Sequence, residues 1–287
     1  MALNAARNAV LDGAVIDLHL HTTASDGRLT PRALVERVAA AGVTIMAVTD
    51  HDTTAAVAEV RRLAAGHGIE AVPGIEITAV EHGRDVHVLG YFMNPDDAAL
   101  AKLLATQRAR RVSRVQAMAE RLAALGLPVD ITPLLAAAER DTGRSIGRPQ
   151  IAQAMIAAGH ARDTREAFDR WLGGNGAAFV PREGPPIEDV VSALHLAGGL
   201  ASLAHPGKTR IDARIPALRD VGLDAIEAFH PDHDAQQREA YTRLAASLGL
   251  LVTGGSDFHG DPAHGLEPGA MSLPPAEWTR LRAATAQ

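Results

Sequence analysis

The chain has no cysteine among its 287 residues. That excludes disulfides, thiolate catalysis and cysteine-ligated zinc or iron–sulfur centres. Aromatic residues are scarce, at 3%, against thirteen histidines, so histidine is used here for chemistry rather than packing. No apolar run approaches the membrane-spanning length of about 20 residues. Residues 1–12 show no apolar signal-peptide core. A soluble, cytoplasmic protein with no membrane association and no obligate protein partner is expected. Positive charge is also in deficit: the formal net charge of −6 argues against a broad electrostatic nucleic-acid binder. A small anionic substrate remains open, because bound divalent ions reverse the local sign of a carboxylate cluster.

What is present is a large apolar fraction, 47%, enough for one large α/β domain or two smaller ones. The first third alternates between strand and helix patterns. Strands are predicted over 15–21, 44–49, 69–77 and 86–91, and helices over 30–41 and 53–66. Thr30 suits a helix N-cap, Pro31 the first turn, and Gly42 a stop. Such alternation with short connections predicts βα units in a mostly parallel sheet. Beyond Asn94-Pro95 the pattern changes, and 98–178 reads as helical. Strands return at 200–204, 225–229 and 250–253. The division expected is a discontinuous barrel of 1–97 and 181–287, with a helical insertion of 98–180 covering its active site.

His19-Leu20-His21 is the first chemical signal. Strand side chains repeat every two residues, so both imidazoles share one face. Alone the triplet could equally be two surface histidines. Further polar groups recur where strands hand over to loops: Asp26, Asp50-His51-Asp52, Glu76, His87, His205, Glu227, His230, and Ser256-Asp257-Phe258-His259. Active sites of βα barrels form at the C-terminal strand ends. Each residue also has a plain structural role open to it: a turn or cap for Asp257 and His259, a surface strand position for Glu76, a hydrogen-bonded core position for His87. His67, His82 and His160 read as surface residues, and His195 as a packing or surface residue.

His19-Leu20-His21 with Asp26, Thr49-Asp50-His51, Gly74-Ile75-Glu76, Ala204-His205-Pro206 and Ser256-Asp257-Phe258-His259 together resemble the PHP (polymerase and histidinol phosphatase) family, relatives of the amidohydrolases. The resemblance implies an α/β fold, a distorted (β/α)7 barrel with two or three divalent ions. It implies that one ion uses His19, His21, Glu76 and Asp257. A second uses Asp26, His51 and His259. A third uses Glu76 as a bridge with His205 and His87, where His87 could instead stand behind the ligands. The helical insertion, with Ile146-Gly147-Arg148-Pro149-Gln150-Ile151-Ala152, resembles the subgroup acting on nucleoside 3′,5′-bisphosphates and the 5′-ends of short RNA. Gln150 departs from that subgroup, which has histidine there more often.

Mixed histidine and carboxylate ligation favours Mn²⁺, Fe²⁺ or Zn²⁺ over Mg²⁺, with Mn²⁺ the leading candidate. Such ions lower the pKa of water and offset charge on phosphoryl oxygens. His230 is the candidate proton donor to the leaving oxygen and also a substrate contact. Asp257 and His205 complete the catalytic set. Fixed positive charge for a second phosphate is expected from Arg148 and Lys208, assisted by Arg144 and Ser145. The run Arg108, Arg110, Arg111, Arg114 and Arg121 reads as a solvated helix face. The expected activity is removal of the 3′-phosphate from nucleoside 3′,5′-bisphosphates, with 5′-to-3′ trimming of short RNA beside it. The rivals are a histidinol-phosphate or other small phosphomonoesterase and a non-catalytic metal-binding accessory module.

Overall fold

Short apolar runs bounded by turns form seven strands, because each can bury nearly every side chain without a polar face. The computed structural model describes residues 13–261 and 266–285. Residues 1–12, read above for a signal-peptide core, lie outside the described residues. The strands are β1 (Ile16–Leu20), β2 (Ile45–Val48), β3 (Glu70–Glu81), β4 (Arg84–Tyr91), β5 (Leu200–Leu203), β6 (Ala225–Phe229) and β7 (Leu251–Gly254). They lie in sequence order across one sheet. Its two edges meet where the His21 N–H donates to the Phe258 carbonyl at 3.0 Å, beside a Leu20–Phe258 bridge. The result is the distorted, nearly closed α/β barrel expected from the motifs.

The sheet is less parallel than the sequence suggests. β4 runs antiparallel to both β3 and β5. The cause is local. β3 ends at Glu81 and β4 begins at Arg84, so only His82 and Gly83 connect them, at φ +48° and +76°. A two-residue loop with both φ values positive closes a hairpin, whereas a parallel pair needs a long crossover. The hairpin also extends β3 beyond the predicted 69–77.

Helices flank the barrel: α1 (Pro31–Ala40), α2 (Val57–Ala65), α3 (Ala98–Ala124), α4 (Thr132–Arg140), α5 (Arg148–Ala157), α6 (Thr164–Ala167), α7 (Ile187–Leu196), α8 (Pro206–Thr209), α9 (Ile215–Asp220), α10 (Ala235–Leu248) and α11 (Pro275–Ala284). Thr30 caps α1 by accepting from the Ala33 N–H at 3.3 Å. Asp97 caps α3, accepting from Leu100 at 2.8 Å. The helical stretch has an apolar cluster of its own: Val115, Met118 and Leu122 of α3 meet Ile151 and Met155 of α5 and Trp171. A separate core fills the barrel and packs α7, α9 and α11 against it.

At the seam the backbones are close enough to exclude a side chain. A Cβ on Gly255 would collide with the backbone nitrogen and Cβ of His19 and come within 2.8 Å of Asp17 Oδ1. Gly255→Ala is therefore expected to destabilise the fold by about 1–3 kcal/mol. Urea unfolding checks this; a midpoint equal to that of the unsubstituted chain would show that the seam gives way freely.

Candidate metal centre

β1 carries His19 and His21 to the barrel mouth, both fully buried. Their Nε2 atoms lie 3.4 Å from Glu76 Oε2, and 3.3 and 3.2 Å from Asp257 Oδ1. These are the four groups of the first expected ion. Asp26 stands among three rings: 3.7 Å from His21 Nδ1, 3.5 Å from His51 Nε2 and 3.3 Å from His259 Nε2. His21 thus joins the second set, in which it was not expected. On the third side Glu76 meets His51 Nδ1 at 3.0 Å and His87 Nδ1 at 2.7 Å.

His205 lies where the third set was expected: its Nε2 is 3.1 Å from Glu76 Oε1 and its ring centre 5.3 Å from that of His87. His51 also stands beside Glu76 and His87, and His230 groups with His19 and Asp257. Glu76 is not at a strand end but mid-way along β3. It reaches the mouth because the ladder continues past β2: the Glu76 N–H donates to the Asp50 carbonyl at 3.3 Å, and the Asp52 N–H to the Glu76 carbonyl at 2.9 Å. His87 reaches the mouth because antiparallel β4 begins there, with His87 opposite Thr78.

Buried carboxylates hold the loops that present these groups. Asp50 accepts from the Thr22 N–H at 2.8 Å, Thr22 Oγ1 at 2.6 Å and Ser25 Oγ at 2.6 Å, which folds the loop bearing Asp26. Asp17 accepts from the Ser256 N–H at 2.9 Å and Ser256 Oγ at 2.6 Å, which fixes Asp257. Glu227 Oε1 lies 2.8 Å from His19 Nδ1 and Oε2 accepts the His205 N–H at 2.8 Å. That contact places the His19 proton on Nδ1 and leaves Nε2 to face the centre. Asp52, His205 and Asp257 have left-handed backbones, at φ +52°, +28° and +53°. Unfavourable conformations of this kind gather at functional sites.

The donors fit a divalent cation. His19 Nε2, both nitrogens of His21, His51 Nδ1, Glu76 Oε2, His87 Nδ1 and His205 Nδ1 are buried and make no hydrogen bond. Burying so many unsatisfied polar atoms together is costly unless something else joins them. Their mixture of imidazole and carboxylate is that of a transition-metal site. Burial pushes His21 down to about 3, with His259 adding to the effect, and burial takes His205 down to about 4. Both rings are therefore neutral at physiological pH, as ligation requires. For His259 burial is outweighed by Asp26 and Asp257, which lift it to about 9.

Two cavities open beside this cluster. One, of about 540 Å³, is lined by Asp26, Arg144, Phe168, Lys208, His230 and Asp257 among others. A smaller one, of about 150 Å³, lies against His51 and His87 and shares Asp26, Pro149 and Phe168 with the first.

The sequence profile of the PHP domain matches residues 17–141. The 5′-3′ exoribonuclease Rnm of Escherichia coli (strain K12) is 33% identical over 269 residues, spanning 91% of this chain and 90% of the relative. The chain belongs to the PHP family. The 3′,5′-nucleoside bisphosphate phosphatase of Chromobacterium violaceum is a second PHP relative, 33% identical over 270 residues, 91% of this chain and 93% of that one. A solved PHP-type structure, described as a metal-dependent phosphoesterase from Bifidobacterium adolescentis, superposes with a TM-score of 0.85 at 33% identity, covering 93% of this chain and 95% of the other. This PHP protein is a metal-dependent phosphoesterase, and hence a hydrolase.

The remaining side chains of the PHP site are placed as follows. The His230 Nδ1 accepts the Asp232 N–H at 3.0 Å, so its proton sits on Nε2, 3.3 Å from Asp257 Oδ2. Lys208 Nζ lies between Asp232 at 2.8 Å and Asp257 at 3.1 Å. Arg148 Nη2 donates to Asp85 at 3.0 Å, with its guanidinium 5.6 Å from the Phe168 ring centre. Arg144 Nε and Ser145 Oγ are buried without partners. Gln150 spans two backbones: its Oε1 accepts from Gly147 at 2.8 Å and its Nε2 donates to the Ser25 carbonyl at 2.7 Å. It thereby ties the start of α5 to the loop bearing Asp26.

The arginine run on α3 is not the solvated face read from the sequence. Arg110 is exposed, but Arg111 is buried and Arg114 nearly so. The buried stripe of α3 runs Leu100, Leu104, Gln107, Arg111, Val115, Met118, Leu122. Two polar residues at three- and four-residue spacing inside an apolar stripe were the available signal. His82 is exposed, and His195 meets Asp224 at 2.8 Å near the surface. His233 carries no motif in the sequence; it is buried and accepts the Gly207 N–H at 3.2 Å, steadying the turn before Lys208.

Proposed function

We propose that this phosphoesterase removes the 3′-phosphate of nucleoside 3′,5′-bisphosphates and also trims 5′-phosphorylated short RNA. One observation carries the reading: a cavity large enough for a nucleoside, about 540 Å³, adjoins both the ligand cluster and Arg144, whose buried Nε has no partner. The names of the two bacterial relatives, an exoribonuclease and a bisphosphate phosphatase, support it. Residues 98–180 form a cap over the mouth in this reading, since Arg144, Pro149 and Phe168 line the cavity. The nucleotide substrate accords with a cytoplasmic location.

Three divalent ions, Mn²⁺ first among candidates, would be held by His19, His21, Glu76 and Asp257; by His21, Asp26, His51 and His259; and by His51, Glu76 and His87. Bound there, they supply a lowered pKa for water and positive charge against the phosphoryl oxygens. His205 positions Glu76, and Glu227 orients His19. The neutral His230 ring offers its Nε2–H as a hydrogen-bond donor to the leaving 3′-oxygen, which takes its proton from water. Asp257 holds that ring at 3.3 Å and is itself held by Lys208. Arg148, Arg144, Ser145 and Lys208 bind the phosphate groups.

Phosphate release from adenosine 3′,5′-bisphosphate, 3′-AMP, 5′-AMP, histidinol phosphate and a 5′-phosphorylated RNA tests the proposal. The bisphosphate is expected to give a kcat/KM at least about 100-fold above the monoesters, the worth of one charge-assisted contact pair. Comparable rates on histidinol phosphate would favour the small-monoester rival. Chelation with EDTA is expected to cut release to below about 1%, restored by Mn²⁺. A chain purified with less than about one ion would favour the accessory-module rival.

A further inference from the structure

The smaller cavity carries a charge pattern that cleavage of one phosphate does not require. It encloses about 150 Å³, too little for a nucleoside, and its walls include Arg111, Arg114, Arg148 and Arg182. These four guanidinium groups meet two carboxylates, Asp52 and Asp85, and Asp26 also lines the cavity, so positive charge exceeds carboxylate charge by one. Asp52 Oδ2 accepts from Arg111 Nε at 2.5 Å and Arg182 Nη2 at 2.7 Å. Asp85 Oδ2 accepts from Arg114 Nη1 at 3.1 Å and Arg148 Nη2 at 3.0 Å.

Donors are left over. Arg114 Nη2 and Arg182 Nε are buried without partners, on side chains 9% and 4% exposed. An unmade bond on a buried charged donor is expensive, so the arrangement calls for another acceptor. The acceptor must be small, anionic and rich in oxygens, and guanidinium forks match phosphate in geometry. The lining also includes Asp26, His51 and His87, so an anion there lies beside the candidate metal centre.

We infer that this cavity is a subsite for a phosphate dianion, in which Arg114 and Arg182 act with Arg148. Asp85 is a placeholder carboxylate that an incoming phosphate displaces from the Arg114–Arg148 pair. Asp85 suits that part because a single oxygen serves both arginines, and it lies on the hairpin strand β4 only two residues from His87. The inference rests on the phosphoesterase reading. The dianion is either the phosphate being cleaved or its unreacted neighbour, and the chemistry of recognition is the same.

The test titrates inorganic phosphate calorimetrically into the metal-loaded full chain, for the unsubstituted protein and for R114Q, R148Q and D85N, with melting curves to establish that each is folded. R114Q and R148Q are expected to weaken binding at least about tenfold, the loss of one charged hydrogen bond. D85N is expected to tighten it about threefold or more, by removing the competing carboxylate. Unchanged binding in both arginine variants overturns the inference. So does D85N weakening binding as they do, because the quartet would then be an ion-pair network serving only the fold. Steady-state rates place the phosphate. A loss of kcat/KM by R114Q on 3′-AMP and the bisphosphate alike assigns the subsite to the reacting phosphate, and a loss on the bisphosphate alone to the unreacted one; both support it. Phosphate binding is read without turnover. A chain that binds phosphate in this way but releases none from the bisphosphate overturns the activity proposed above and leaves the subsite standing.

Discussion

Glu76→Gln is expected to lower kcat by roughly 1,000-fold or more and to strip at least one divalent ion from the purified chain, the scale of losing a principal electrostatic group at a reacting centre. The reason is geometric. No other carboxylate of the cluster touches so many rings. Its two oxygens lie within 3.4 Å of nitrogens from His19, His21, His51, His87 and His205. Burial works against its charge, but His51, His87 and His19 outweigh that and hold its carboxyl well below the usual range. Glutamine keeps the shape and one oxygen but removes the charge that two ion positions share. Metal analysis by mass spectrometry and steady-state phosphate release check the two halves of the expectation. Wild-type metal content with a wild-type rate would show that the carboxylate merely fills space between histidines.

Asp52→Ala is expected to cost about 3–5 kcal/mol of stability, the penalty for removing one partner of a buried ion pair. Asp52 is fully buried, and Arg111 and Arg182 both end on its Oδ2. Its Oδ1 accepts the Thr78 N–H at 2.9 Å. Alanine leaves Arg111 Nε, Arg182 Nη2 and the Thr78 N–H without their acceptor in the interior, and Arg111 keeps only Thr78 Oγ1, at 2.9 Å. A melting temperature lower by roughly 10 °C should accompany the loss. Asp52→Asn separates the contributions, since the amide oxygen can still serve Thr78 while the charge is gone. A change below about 1 kcal/mol in the alanine variant would mean that water reaches the arginines and the pair is not truly interior.

The sequence made the barrel strands legible because each is a short apolar run between turn residues, and that pattern survives without knowledge of partners. The direction of β4 was not legible from alternation, since parallel and antiparallel strands differ little in composition. Its signal was the two-residue His82-Gly83 connection. Most of the cluster could be named because its members follow strands. Which donors share one position depends on side-chain reach: His21 faces two groups, and His51 joins Glu76 and His87 as well as Asp26. Glu227 stood in view as an acid within Ala225–Phe229, yet nothing local tells that it addresses His19 across the barrel. Arg111 and Arg114 look solvated when charge alone is considered, and only the apolar stripe of α3 around Arg111 marks it as buried.

The seam between β1 and β7 has a mechanical consequence. Among the described residues a Leu20–Phe258 bridge, a few backbone bonds and the Asp17–Ser256 contacts join those edges, and the rings of His19 and His21 on one side face Asp257 and His259 on the other. Any cation gripped by both sides acts as a clasp on a hoop. Free energy gained by coordination there is also free energy of closing the ring. The first and last strands are some 230 residues apart in the chain, so the loop closure they require is the longest the barrel contains. The candidate metal centre and the fastening of the hoop are thus one object.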